Sequence, residues 1–260
     1  MKISVYFILF IFYSCFGWIY ESIFCSYFTE KKFINRGFLT GPYCPIYGVG
    51  AVLCTAVFDE TNSTNIFIIF IACAVGSCII EYVTSFVMEK LFNTRWWDYS
   101  SLPFNLNGRI CLYGALVFGL AGTVIALVNP YAERVFDFID NKFIDRVAVL
   151  IFIAMAADFT MTIMSWRNLN ISLMKIHNIL NEKLEKTMEG VSQKAILIEE
   201  KYKDGIVVYG KSLNKLLSIP IKKREMRFLK AFPGLKPIKY SAVVDRIREE
   251  IIKHKNNLSS

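Results

Sequence analysis

The sequence predicts an all-α membrane protein: a polytopic bundle of about five transmembrane helices followed by a helical, basic cytoplasmic tail. Hydrophobic residues make up 54% of the 260 residues and charged residues only 20%, a smaller charged share than in an average soluble domain. The charge is also unevenly divided. Residues 1–166 carry 10 basic and 12 acidic side chains, whereas residues 167–260 carry 20 and 10.

The predicted transmembrane domain covers residues 1–166 and is built from five apolar runs. About 20 helical residues cross a hydrocarbon core of ~30 Å, and the predicted spans are 3–28, 43–58, 65–88, 110–128 and 147–166. A cleaved signal peptide is the alternative for residues 1–20. The length of the first run and the lack of a small-x-small cleavage site both disfavour it.

The orientation follows from the basic residues in the connections. The loops after the first and third runs each carry three Lys or Arg, and the loop 59–64 carries none. The loop 129–146 is ambiguous because its three basic residues face four acids. The positive-inside rule then predicts a multi-pass protein of the bacterial plasma membrane, with its N-terminus outside and its C-terminus in the cytoplasm.

The predicted tail, residues 167–260, begins with an apolar stripe at helical spacing: Leu169, Leu173, Ile176, Leu180, Leu184, Thr187 and Val191. This stripe predicts an amphipathic helix that continues the fifth span or pairs as a short coiled coil. A last helix, 241–255, suits either a lipid surface or a partner helix. The basic charge favours anionic lipid as a partner of the tail and disfavours nucleic acid.

No cofactor or metal is predicted. An intramembrane enzyme that acts on lipid headgroups through Glu21, Glu81 or Asp98 is a further alternative, which the lack of a nucleophile–base pair or metal cluster disfavours. The segment 205–212 matches the phosphate-binding loop pattern by its letters. That loop needs a preceding buried strand, and residues 199–204 are too polar to form one. The seven cysteines lie in or beside apolar runs, which suits packing better than a metal or redox site.

Three acids lie inside the predicted spans: Glu21, Glu81 and Asp158. A charge at membrane depth costs about 2.5–3.5 kcal/mol even on the lenient insertion scale, so it is normally paired or faces a polar cavity. Arg109, at the start of the fourth span, is the expected cation for one of them. A packing role and a role in substrate or proton handling both fit these acids.

Glycine and proline interrupt the entrance to the short second span, where Gly41, Pro42, Pro45 and Gly48 lie in one loop. Broken helices of this kind hold binding sites in many transporters, so the neighbouring Tyr43 and Tyr47 are candidate cavity residues. A tight turn with close helix packing is the alternative.

The loop before the fourth span combines aromatic and polar residues. Trp96 and Trp97 suit anchoring in the headgroup layer. The polar side chains could gather around a ligand, and these candidates are Asp98, Asn105, Asn107 and Arg109.

A weak internal repeat links the two loops. A glycine, an acid, a basic loop and a Gly-x-x-Cys string occur around Glu21 and Cys44, and again around Glu81 and Cys111. The repeat predicts that spans 1–2 and 3–4 form pseudo-equivalent hairpins whose two acids face a shared centre.

Several strings in residues 5–166 together resemble the bacterial family of CmpB-like membrane proteins, labelled as type IV ABC-transporter permeases. They include Gly17-Trp18-Ile19-Tyr20-Glu21-Ser22, the loop 35–50, Glu81-Tyr82-Val83-Thr84-Ser85, Glu89-Lys90-Leu91-Phe92 and Arg95-Trp96-Trp97-Asp98-Tyr99-Ser100. The resemblance implies a transport-related membrane subunit of unknown substrate that needs a partner ATPase or another membrane subunit. The alternative is a membrane scaffold whose basic tail docks a partner or anionic lipid.

Overall fold

The computed structural model describes residues 2–61, 65–192, 221–232, 235–237, 240, 243–245 and 247. The helices are α1 (Ile3–Ile19), a π-helical turn (Tyr20–Cys25), α2 (Ser26–Glu30), α3 (Pro45–Thr61), α4 (Ile66–Phe92), α5 (Leu112–Asp137), α6 (Asn141–Ser192) and α7 (Lys223–Ala231). Four strands have two residues each: β1 (Thr94–Arg95), β2 (Asn105–Leu106), β3 (Ile110–Cys111) and β4 (Lys236–Pro237).

Within these ranges, four helical segments are long and apolar enough to cross a membrane: Ile3–Phe28, Ile66–Phe92, Leu112–Asp137 and Asn141–Ile179. The predicted helical membrane bundle is therefore confirmed. The second predicted span corresponds to the shorter apolar helix Pro45–Phe58. At ~1.5 Å per residue, the 17 residues of α3 extend for about 25 Å, which is short of a ~30 Å hydrocarbon core.

The chain divides into two compact units, residues 1–163 with 230–236, and residues 164–229 with 237–260. In the first unit, α1 packs against α3 and α4 packs against α5, and α3 also contacts α4 and α5. These are the two hairpins that the repeat predicts. Small residues allow the close approach: a Cβ on Gly119 would lie 3.0 Å from the Cβ of Ala74, and one on Gly122 would lie 2.6 Å from the Cβ of Cys73.

A buried polar network also ties the first unit together. Tyr13 donates its hydroxyl hydrogen to Asn129 Oδ1 at 2.6 Å, and Asn129 Nδ2 donates to Thr55 Oγ1. The three side chains belong to α1, α5 and α3. Because Asn129 is only 2% exposed, these hydrogen bonds satisfy polar groups that would otherwise be costly inside the bundle.

The second unit contains the part of α6 beyond Met164. Leu169, Leu173 and Ile176 of the predicted stripe are buried there, and the Trp166 and Phe228 rings lie 5.3 Å apart. Helix α6 runs through the predicted domain boundary at 166/167 without a break. The phosphate-loop match at 205–212, the later side chains of the stripe and most of the predicted helix 241–255 lie outside the described residues.

Candidate functional site

Glu21 lies in the π-helical turn that follows α1. The backbone N–H of Ser26 donates to the carbonyl of Glu21, five residues earlier, so this turn holds one more residue than an α-helical turn. The Glu21 carboxylate accepts a hydrogen bond from the hydroxyl of Tyr47 in α3, with an O···O distance of 2.6 Å. Turns of this type occur often at functional sites.

Glu81 lies in α4 and is 7% exposed. Its Oε1 accepts a hydrogen bond from the Tyr99 hydroxyl at 2.9 Å, and Tyr99 itself is fixed in the loop by its backbone N–H, which donates to Gly108 O at 2.8 Å. The pKa of Tyr99 is raised mainly by its burial, next by the charge of Glu81, and to a smaller extent by the charge of Glu21. Both acids therefore act on one phenol, which agrees with the shared centre that the repeat predicts.

Neither Glu21 nor Glu81 forms a salt bridge with any residue that the structure describes. The predicted pairing of Arg109 with one of these acids is wrong. Arg109 Nη2 lies 3.0 Å from Glu89 Oε2, and its Nη1 donates to Ser85 Oγ at 3.0 Å. Glu89 follows Glu81 by about two helical turns, so the arginine is neutralised nearer the end of α4.

The polar loop before α5 is organised mainly by hydrogen bonds within itself. Asp98 Oδ1 accepts from the Ser100 N–H at 3.0 Å, and Asn105 Oδ1 accepts from the Gly108 N–H at 3.1 Å. Asn107 has positive φ (54°), and its Nδ2 donates to Tyr82 Oη at 3.0 Å. Asp98, Asn105 and Asn107 are therefore engaged in shaping the loop, and their role towards a ligand stays a prediction.

The two tryptophans of this loop differ. Trp96 is 2% exposed and its ring packs against Phe38, Phe92 and Phe232 at centroid distances of 5.0, 5.6 and 5.0 Å. Its burial argues against headgroup anchoring at that position. Trp97 is half-buried and its indole N–H donates to the Arg109 carbonyl at 3.0 Å, so anchoring by Trp97 stays a prediction.

Asp158 holds the first loop against α6. Its carboxylate accepts hydrogen bonds from the Gly41 N–H at 2.8 Å and the Tyr43 hydroxyl at 2.7 Å, and also from the Thr40 N–H and Thr162 Oγ1 at 3.2 and 3.3 Å. Burial, followed by the bond to Asp158, raises the pKa of Tyr43. Thr40, Gly41 and Tyr43 belong to the connection before α3, so Asp158 joins this connection to α6.

The glycines and prolines of the first loop lie just before α3 and in its first turns. Gly41 and Pro42 precede the helix, which begins at Pro45. Gly48 lies against the Phe10 carbonyl and Ser14 Oγ of α1, with no room for a side chain. Close helix packing therefore accounts for Gly48, and a cavity role for this loop stays a prediction.

The two repeats are not equivalent at their tyrosines. Tyr47 contacts Glu21 from within its own hairpin. Tyr113, which follows Cys111 as Tyr47 follows Cys44, is the corresponding residue of the second copy and is 68% exposed. Glu81 instead accepts its hydrogen bond from Tyr99 of the loop. Sequence reasoning did not select Tyr99 or Glu89, and no local pattern marks either residue as a partner.

The first unit thus brings together two carboxylates, each with a tyrosine hydroxyl donor and neither with a described cationic partner. We call Glu21, Tyr47, Glu81 and Tyr99 the acid–tyrosine centre. The two carboxylates of such a centre can take up a proton or bind a cation. Among the described residues, no group of three or more His, Cys, Asp or Glu is arranged to hold a metal ion.

A comparison with known protein families gives a match. The model of the family described as "Putative ABC-transporter type IV" matches residues 8–163, which include α1 from residue 8 onwards, α2 to α5, most of the apolar part of α6 and the whole acid–tyrosine centre. No curated protein and no solved structure matches the chain. The match covers more than half of the chain, and the protein therefore belongs to this family.

Proposed function

We propose that this protein is the membrane-embedded subunit of a transporter, and that the acid–tyrosine centre handles a cationic substrate or a proton. The observation that carries the proposal is the pairing of Glu21 and Glu81 with tyrosine hydroxyls, at 2.6 and 2.9 Å, without a salt bridge in the described structure. Ionisable residues inside membrane segments usually pair with one another or face a cavity, and they often mark substrate, ion or proton pathways. Without a described cationic partner, these two carboxylates can bind a cation or a proton.

The packing supports this reading. The two acids come from different hairpins, and the hairpins meet through α3, α4 and α5. Rigid-body movement of one half of a bundle against the other is how many transporters give alternating access to a site at the boundary between repeats. Glu21 and Glu81 lie where such a movement would change their surroundings.

The proposal includes a plasma-membrane location, an outside N-terminus, a cytoplasmic C-terminus and a partner ATPase. The basic residues of the connections and of the tail support the orientation. The family membership supports an ATPase partner that supplies the energy. Affinity purification from native membranes in mild detergent, followed by mass spectrometry, tests the partner: an ATPase subunit in stoichiometric amount is expected, and its consistent absence would contradict this part.

A ligand screen tests the centre itself. The detergent-purified protein is heated with panels of cationic, neutral and anionic solutes, because a ligand that binds only the native state raises the unfolding temperature. We expect a cationic solute to stabilise the wild type, and Glu21→Gln and Glu81→Gln to lose that stabilisation. Asp145→Asn is the matched control, because Asp145 is an exposed acid of α6. Equal stabilisation of all four proteins would contradict a role for the centre.

A scaffold is the second candidate function. The excess of basic residues in 167–260 favours it, as does α7, whose sequence Lys-Arg-Glu-Met-Arg-Phe-Leu-Lys-Ala carries four basic residues in nine. A scaffold would dock a partner or anionic lipid through this tail. Binding of the protein to a partner lost on removal of 193–260, with no solute effect at Glu21 or Glu81, would favour it.

A further inference from the structure

Two of the cysteines face each other inside the bundle. Cys54 Sγ and Cys73 Sγ lie 3.3 Å apart, and both side chains are reduced and half-buried. Cys54 lies in α3 and Cys73 in α4, so the thiols belong to different hairpins. The two sulfurs must approach by a little more than 1 Å to reach the ~2.05 Å length of a disulfide.

A third helix keeps the pair together. Cys54 Sγ lies 3.4 Å from the carbonyl oxygen of Gly122 in α5. A Cβ on Gly122 would lie 2.6 Å from both the Cβ and the Sγ of Cys73, so only glycine leaves room for this thiol. The backbone of α5 at Gly122 therefore packs directly against both cysteines.

We propose that Cys54 and Cys73 are a redox modification site, which an apolar disulfide compound oxidises to a reversible disulfide between the two hairpins. One cysteine, as thiolate, attacks a sulfur of the oxidant and releases one thiol. The other cysteine then attacks the mixed disulfide and releases the second thiol. Overall, two protein thiols and one small disulfide give one protein disulfide and two small thiols, so protons and electrons balance.

The product would restrain the fold in a specific way. The α1–α3 hairpin and the α4–α5 hairpin would be joined by a covalent bond between α3 and α4. A bond there blocks any movement that separates these two helices, while leaving the packing within each hairpin intact. The inference does not depend on transport, because the geometry of the thiols alone carries it.

The test uses the full-length protein with the other five cysteines replaced by alanine, so that only Cys54 and Cys73 remain. In detergent it is treated with 4,4′-dithiodipyridine, which is small and apolar enough to enter the bundle. Free thiols are then counted after denaturation with a maleimide–polyethylene glycol reagent. We expect the count to fall from two to zero, to return to two with dithiothreitol, and mass spectrometry to identify one peptide pair linked through Cys54 and Cys73.

The matched control retains Cys54 and Cys78 instead. Cys78 lies five residues beyond Cys73 on α4, about 7.5 Å further along the axis and on a different face. We expect this control to take up thiopyridine separately on its thiols, without a linked peptide. The proposal is overturned if Cys54 and Cys73 stay alkylatable, if each is capped separately, if the link joins two molecules, or if the control pair links as readily.

Discussion

The clamp that Asp158 forms on the first loop gives the sharpest stability prediction. Asp158 Oδ2 accepts from the Gly41 N–H and the Tyr43 hydroxyl, and Oδ1 accepts from the Thr40 N–H. In Asp158→Asn, one oxygen becomes an amide NH₂ that must face hydrogen-bond donors. Each bond to a charged acceptor is worth ~1.5–3 kcal/mol and an unsatisfied buried donor costs ~1–3 kcal/mol. We therefore expect a loss of about 2–4 kcal/mol in the free energy of unfolding.

The assay is unfolding by sodium dodecyl sulfate in mixed micelles, followed by tryptophan fluorescence. Tyr43→Phe removes one donor to the carboxylate and is expected to cost about 1.5–3 kcal/mol. The two substitutions together should cost less than the sum of their separate effects, because they share one bond. Asp145→Asn, an exposed position on the same helix, should change stability by no more than ~0.5 kcal/mol. Wild-type stability of Asp158→Asn, or strict additivity with Tyr43→Phe, would refute this reasoning.

Three further outcomes are expected from the same unfolding assay. Arg109→Gln should destabilise by about 1.5–3 kcal/mol, because it removes one of the two arginines that contact Glu89. A loss below ~1 kcal/mol would mean that this pair adds little to stability. Asn129→Leu should cost about 1–2 kcal/mol by breaking the buried links to α1 and α3, and an unchanged stability would show that the network is not formed. Burial and the charge of Glu81 raise the pKa of Tyr99, so its neutral form stabilises the fold below the ordinary tyrosine pKa of ~10, and this contribution is lost as pH rises further. The stability of Tyr99→Phe should therefore fall less than that of the wild type between pH 10 and 11. Equal losses in the two proteins would contradict this expectation.

The sequence predicted the bundle well because hydrophobicity alone determines which segments enter a membrane. The first and third spans agree closely with Ile3–Phe28 and Ile66–Phe92. Helices α5 and α6 extend beyond the predicted fourth and fifth spans, since α5 reaches Asp137 and α6 covers Asn141–Ser192. Helices continue beyond the apolar run wherever backbone hydrogen bonds and packing still favour them, and hydropathy does not report those turns.

The sequence singled out Glu21, Glu81 and Tyr47 of the candidate site, but not Tyr99 and not Glu89, the partner of Arg109. Glu21 and Glu81 stand out because carboxylates are rare in apolar runs. The partner of Arg109 could not be predicted in the same way, because Glu89 lies at the end of α4 among other charges. Choosing between Tyr99 and Tyr113 as the partner of Glu81 needs the path of the loop, which its positive-φ residues Phe104, Asn107 and Gly108 determine.

The π-helical turn at Tyr20–Cys25 has a consequence for how this chain is compared with its relatives. A π turn amounts to one residue inserted into a regular helix, so every side chain after it is rotated by ~100° relative to an uninterrupted helix. A relative with a regular helix here would need a one-residue gap in the alignment at 20–25. Deletion of a single residue from this turn should straighten the helix and turn Ser26 away from the Ile34 carbonyl that it now contacts.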